Sequence, residues 1–371
     1  MSMLPGERLL AVLDLKPPDR LPLMDFGYLD ETVAAWREQG LPDHISDTIT
    51  VKLELEDYFG LDRGYEFSVF HPRYTPGTER ALYPPFEVEI LSDEGDNVVE
   101  RDIDGVILRR QKGARTIPQF LRFPVEDMAS YEALRWRMNG ADPGRYPPEW
   151  PAQAATLLAS GQPLGIWLNG FFAWPRQLMG LENLAVAFYD QPELVQRINR
   201  DHARFIQQIC QRALADLPIQ YVYIWEDMAY RGGSLISPAT FRRFLTPYYE
   251  ETVAFLRAHG VRKVMVDCDG YILDLTALFV EAGVDAMLPC ERASGSDPLL
   301  LRRRYPNLAL LGGVDKRALA AGPEAIDRDL EYLAPLVAEG GFIPGVDHRV
   351  PPDVSLANYR YYCQRRAELY G

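Results

Sequence analysis

The sequence predicts a (β/α)8 TIM barrel with an N-terminal helical extension and an inserted antiparallel β-meander, all within one barrel domain spanning residues 1–371. Three observations predict it. The stretch VMVDCDG, residues 264–270, is a short apolar run that stops at Asp267-Cys268-Asp269-Gly270 and gives way to a helical pattern. An apolar run of that length suits a strand buried on both faces, as in a parallel sheet. The same strand-then-helix step recurs at least six times after Pro163, with the short connections of right-handed parallel units. Acids and a histidine then gather at the carboxyl ends of those strands, where barrels and open parallel sheets bind ligands.

Taken in order, residues 5–14 read as an amphipathic helix ended by Pro17 and Pro18, and RLPLMDFG (20–27) reads as a first strand delivering Asp25. Residues 29–60 are mixed and helical, and a further strand is expected between residues 60 and 86. From Phe86 the period changes to two. Turns at Asp93-Glu94-Gly95-Asp96 and Asp104-Gly105 divide residues 86–110 into three antiparallel strands, a meander at the barrel rim. Pro124, Glu126 and Asp127 open a helix to about Met138. Residues 139–151, rich in Pro and Gly, form the one internal loop that could mark a boundary.

The regular part begins with PLGIWLNG, a strand ending at Asn169, and helices over 174–188 and 192–216. IQYVYIWED (219–227) ends at Glu226-Asp227, and Ser237-Pro238 caps a helix that stops at His259-Gly260. After the 264–270 step come VDAMLPCE, ending at Glu291, LALLGGVDK, with Asp315 past its end, and GFIPGVDHR, ending at Asp347-His348. A closing helix starts near Asp353.

Composition narrows the function. A net charge of −14 opposes binding to nucleic acid phosphates or to anionic membrane. Charges interrupt the only apolar stretch near the N-terminus, so a signal peptide or anchor is not expected, and no run approaches the length of a membrane span. The four cysteines show no CxxC spacing, which fits a reduced, cytoplasmic protein. A small-molecule substrate is the partner left, and the oligomeric state stays open.

Acids crowded at one barrel face cannot all ionise without a cation or raised pKa values. Each alone also suits a helix N-cap. As a set, Glu226, Asp227, Asp267, Asp269, Glu291, Asp315, Asp347 and His348 point to a site whose cation is a metal or a positively charged substrate, with His348, Glu226, Asp227 and Glu291 as candidate acid–base groups. Asn169, Trp167, Phe172, Asp25 and Asp315 are the candidate substrate contacts, the aromatics as walls or as rings over a cation. His44, His71, His202 and His259 sit in surroundings that suggest no role.

The tail GVDHRVPPDVSLANYRYY, the strand LALLGGVDK, the segment IWEDMAYRGGSLISPATFRRFLTPYY and the opening ERLLAVLDLKPPDRLPL together resemble the uroporphyrinogen decarboxylase superfamily, in order and nearly end to end. LALLGGVDK is similar to that family's GN-(I/V/L)-DP strand. The resemblance implies a (β/α)8 barrel and one of two chemistries. One is metal-free decarboxylation of a tetrapyrrole or small acid. It uses arginines soon after the first strand, and here none follows Arg20 until Arg37. The other is methyl transfer to or from a corrinoid carried by a partner protein. There a His-x-Cys pair and a distal Cys hold zinc. Asp267, Asp269 and His348 take those three places, so oxygen and imidazole would hold zinc or another divalent metal such as Mn²⁺ or Fe²⁺. A corrinoid-linked methyltransferase or demethylase of a small methylated compound is the leading expectation. The metal-free decarboxylase is the alternative, and a binding barrel without chemistry is the third reading.

Overall fold

The computed structural model describes residues 2–45, 53–62, 69, 81–113 and 118–371. An antiparallel sheet comes first in the chain, made of β1 (Glu89–Glu94), β2 (Asn97–Arg101), β3 (Ile107–Gln111) and β4 (Gln119–Arg122) in that order. It has one strand more than the sequence pattern suggested. The barrel strands β5 (Gly165–Asn169) and β6 (Tyr221–Trp225) follow, then a small hairpin of β7 (Ala229–Tyr230) and β8 (Gly233–Ser234). The remaining barrel strands are β9 (Lys263–Asp267), β10 (Ala286–Leu288), β11 (Ala309–Val314) and β12 (Phe342–Val346).

The six barrel strands pair in the order β12-β11-β10-β9-β6-β5, and every pairing is parallel. Helices such as Pro192–Asp216, Thr246–Ala258 and Pro323–Glu339 join successive strands and cover the outside. The architecture is the expected α/β barrel class. Alternation along each strand builds two cores. Tyr221, Tyr223, Met265, Leu288, Leu311 and Ile343 point inward into one cluster, which Leu9 and Leu13 of the helix Pro5–Leu13 also join. The residues between them, among them Val222, Val264, Val266 and Leu310, pack against the helices. None of the helices among the described residues is long and apolar enough to cross a membrane.

Residues 21–28 run beside β12 without forming a ladder. Tyr28 bridges Val350, and the Val346 amide donates to Asp25 Oδ1 at 2.8 Å. A side chain thus does work that the expected first strand would have given to its backbone. The strand expected between residues 60 and 86, like His71, falls largely outside the described residues. At its flanks the Asp62 amide donates to the Leu23 carbonyl and the Val69 amide to the Gly165 carbonyl, each at 2.9 Å.

The meander sits over the ends of β5 and β6. Asp102, Val106, Phe120 and Phe123 share a cavity of about 320 Å³ with Trp174 and Trp225. Residues 139–151 are stitched to the body by the fully buried Arg145, which donates to the Ala81 carbonyl at 3.1 Å, and by the Tyr146 hydroxyl, which donates to the Ile209 carbonyl at 2.6 Å. We propose that the chain folds as a single domain. Limited proteolysis that cuts at 139–151 and releases a folded half would refute it.

Candidate active site

Asp269 lies two residues past β9, in a turn that Gly270 makes possible. Gly270 has φ +81°, and a β-carbon there would lie 2.9 Å from the Tyr230 backbone nitrogen. The turn aims Asp269 across the barrel mouth at His348, which follows β12. His348 Nε2 lies 3.4 Å from Asp269 Oδ2, and the ring packs 5.9 Å from that of Phe26. Burial disfavours the charged imidazole, but the hydrogen bond and charge of Asp269 outweigh it and raise the histidine pKa. Asp269 Oδ1 finds no hydrogen-bond partner among the described residues.

Beside this pair lies a cavity of about 370 Å³ lined by Tyr230, Arg231, Asp269, Gly270, Glu291 and Arg317, among others. Glu291 accepts from Lys316 Nζ at 2.8 Å, and from Ser294 Oγ and the Gly270 amide at 3.0 Å each. Burial pushes its pKa up, and Lys316 with these donors more than reverses that, leaving it lowered. Asp347 is fully buried. It accepts from the amides of Arg292 and Lys316 at 3.1 Å each, and Lys316 Nζ stands 3.7 Å away. Burial pushes Asp347 up to about 6 against the pull of Lys316. Gly312 in β11 permits this crowding, since a β-carbon there would sit 1.9 Å from the Pro289 carbonyl oxygen.

The expected ion site does not assemble. Asp269 and His348 meet, but Asp267 is drawn into the barrel, where it is 3% exposed and takes the Tyr223 hydroxyl on Oδ2 at 2.5 Å. Among the described residues, no group of three His, Cys, Asp or Glu side chains is placed to hold a metal ion. The donors present therefore do not fit a three-ligand centre.

Four further expectations are corrected by what the side chains touch. Glu226 is fully buried on the helix side of β6, away from the mouth. Its carboxylate accepts from the amides of Phe171, Phe172 and Ala173 at 2.8–2.9 Å and from the Tyr249 hydroxyl. It clamps the turn after β5, where only glycine fits at 170, because a β-carbon would lie 2.1 Å from the Glu226 carboxyl carbon. Asp25 is committed to Arg366, Tyr359 and Tyr362 behind β12. Asp315 caps the helix Lys316–Ala321 and pairs with Arg317 at 2.6 Å. Phe172 is buried against Phe188 in the outer core.

Trp167 and Trp225 do stack inside the mouth, with ring centroids 6.4 Å apart. Asn169 is half-buried nearby, and its Oδ1 has no partner among the described residues. Asp227 is paired at 2.5 Å with Arg176, which lines the cavity beneath the meander, and it does not line the one beside Asp269. The sequence reading missed Lys316 and Arg231. Lys316 was legible as the residue closing LALLGGVDK, but attention to the acids alone passed over it.

For Glu226→Ala, which strands three amide donors, stability is expected to fall by about 1–3 kcal/mol. Urea denaturation measures this, and a loss well under ~1 kcal/mol would show that the clamp is dispensable.

Residues 113–369 match the family described as Uroporphyrinogen decarboxylase (URO-D). A uroporphyrinogen decarboxylase from Rhodococcus erythropolis is 32% identical over 132 residues, covering 32% of this chain and 34% of that protein. The alignment thus spans about a third of that relative's length. The solved structure of a methyltransferase from Methanosarcina mazei aligns over 99% of each chain, with a TM-score of 0.58 at 15% identity. The two share a fold.

Proposed function

We propose that this chain, which belongs to the uroporphyrinogen decarboxylase family, is an enzyme that removes a one-carbon group from a small polar substrate, using the Asp269–His348 pair as its proton carrier. The observation that carries this reading is the pair itself, 3.4 Å apart beside a small cavity, with Asp269 Oδ1 left for substrate. Asp269 Oδ2 holds His348 as the imidazolium, and the imidazolium gives up its proton to the substrate, which Asp269 Oδ1 helps to orient as an acceptor. When the bond to the carbon breaks, its electron pair stays on the substrate heteroatom. That atom takes the proton, and His348 is left neutral.

The group removed is a methyl, and a corrinoid on a partner protein accepts it. A cavity of about 370 Å³ lies near the lower end of the roughly 300–1,000 Å³ typical of ligand pockets. It holds a small molecule and not a macrocycle, so the corrin ring stays on its carrier. The same size disfavours uroporphyrinogen as substrate. Arg20, the one arginine in the segment that resembles the family's clamp, is held by Asp62 through two contacts of 2.6 Å. Metal-free decarboxylation of a small acid is the second reading. It is favoured by His348, which takes the place of the decarboxylase histidine.

The test supplies purified protein with panels of O-, N- and S-methylated small molecules and cob(I)alamin, and follows the absorbance of methylcobalamin. Methyl transfer from one class, lost in Asp269→Asn, is the expected result. Release of CO₂ from small acids without methyl transfer would favour the second reading, and turnover of uroporphyrinogen would contradict both.

A further inference from the structure

We propose that Lys316 is the built-in cation of the barrel mouth, holding the place that a metal ion would occupy. Its Nζ stands 2.8 Å from Glu291 Oε1 and 3.7 Å from Asp347 Oδ1, and the side chain is 19% exposed. Those two carboxylates follow β10 and β12, so one ammonium at the start of the helix Lys316–Ala321, just past β11, ties together the segments after two strands. Glu291 in turn binds the Gly270 amide, which fixes the turn bearing Asp269. Asp347 immediately precedes His348. Through these two acids Lys316 therefore positions both members of the proton-carrying pair without touching either, although its like charge disfavours the His348 imidazolium.

An ion shared by Glu291 and Asp347 would need its centre about 2.0–2.2 Å from an oxygen of each. The lysine nitrogen already fills the space between them. Ammonium and divalent ion are thus mutually exclusive occupants, and the sequence has chosen the ammonium. Lysine also stands where the family strand that LALLGGVDK resembles has proline. The remaining acids around the cavity have cations of their own: Asp269 has His348, and Asp315 has Arg317. Lys316 keeps this role whatever group the enzyme transfers, so a failed methyl-transfer assay leaves it standing.

The experiment titrates Zn²⁺ alone into wild-type protein, Lys316→Ala and Lys316→Arg by calorimetry, with thermal unfolding followed in parallel. Wild type and Lys316→Arg are expected to show no saturable site at the mouth. Lys316→Ala is expected to gain one saturable Zn²⁺ site, at least roughly tenfold tighter than the weak, unsaturated uptake of wild type, because two carboxylates have lost their counter-ion. Adding Glu291→Gln to it should remove the gain. If Lys316→Ala does not fold, adding Zn²⁺ during its refolding should recover it, and failure to recover counts against the proposal. One tight Zn²⁺ per wild-type chain, lost in His348→Ala, would overturn it. So would a Lys316→Ala protein that matches Lys316→Arg in both melting and Zn²⁺ binding.

Discussion

Asp25→Ala is expected to lower stability by about 3–5 kcal/mol, the usual cost of removing one partner of a buried ion pair. The Asp25 and Arg366 side chains are 2% and 0% exposed, and their closest contact is 3.0 Å. The carboxylate also receives the Tyr359 hydroxyl at 2.6 Å, the Tyr362 hydroxyl at 3.0 Å and the Val346 amide at 2.8 Å. Its loss would leave a guanidinium without a counter-ion and would free residues 21–28 from β12. A domain stable by about 5–15 kcal/mol has little margin for that. Urea unfolding of Asp25→Ala, Arg366→Met and the double variant measures it. The double variant should lose less than the two singles added together, because the second change removes the stranded charge. Independent, small losses would mean that the pair does not hold the barrel's seam.

His348→Gln and Asp269→Asn are each expected to lower turnover by about 10²–10⁴-fold, the range for a positioned acid–base group, with little change in the unfolding temperature. Both residues lie past strand ends and outside the packed cores. The pH dependence has a definite sign. The His348 pKa is raised because Asp269 overcomes the effect of burial. Proton donation is therefore available at low pH and fades as pH rises through that raised value. Linkage runs the same way: the pair stabilises the fold fully below the ordinary histidine pKa, and that contribution is lost as pH passes the folded value. A turnover that rises steadily through this window would contradict the donor role.

Much of the fold was legible because strands buried on both faces leave short apolar runs, and because the turns after them need Asp and Gly. VMVDCDG and LALLGGVDK read correctly for that reason. The meander was legible from its period of two, although its fourth strand lay beyond the pattern. The roles of the acids were far less so. Asp25 looked free in sequence, but its partner Arg366 is 341 residues away. Glu226 sits at a strand end as expected, yet β-strand alternation turns it outward, where amides 53–55 residues earlier consume it. Asp267 differs from Asp269 by one full period and shares its face. What separates them is depth: Tyr223, inside the barrel, reaches only the lower one. Strand-end position can be read from a sequence, whereas the depth of a side chain and its distant partners cannot.

The central claim is the charged pair at the mouth, and proton NMR titration of the His348 ring tests it without knowledge of the substrate. In wild-type protein His348 should titrate above an ordinary histidine, and in Asp269→Asn its midpoint should fall, because burial then acts without the opposing carboxylate. A His348 that titrates at or below the ordinary value, and stays there when Asp269 is changed, would contradict the account.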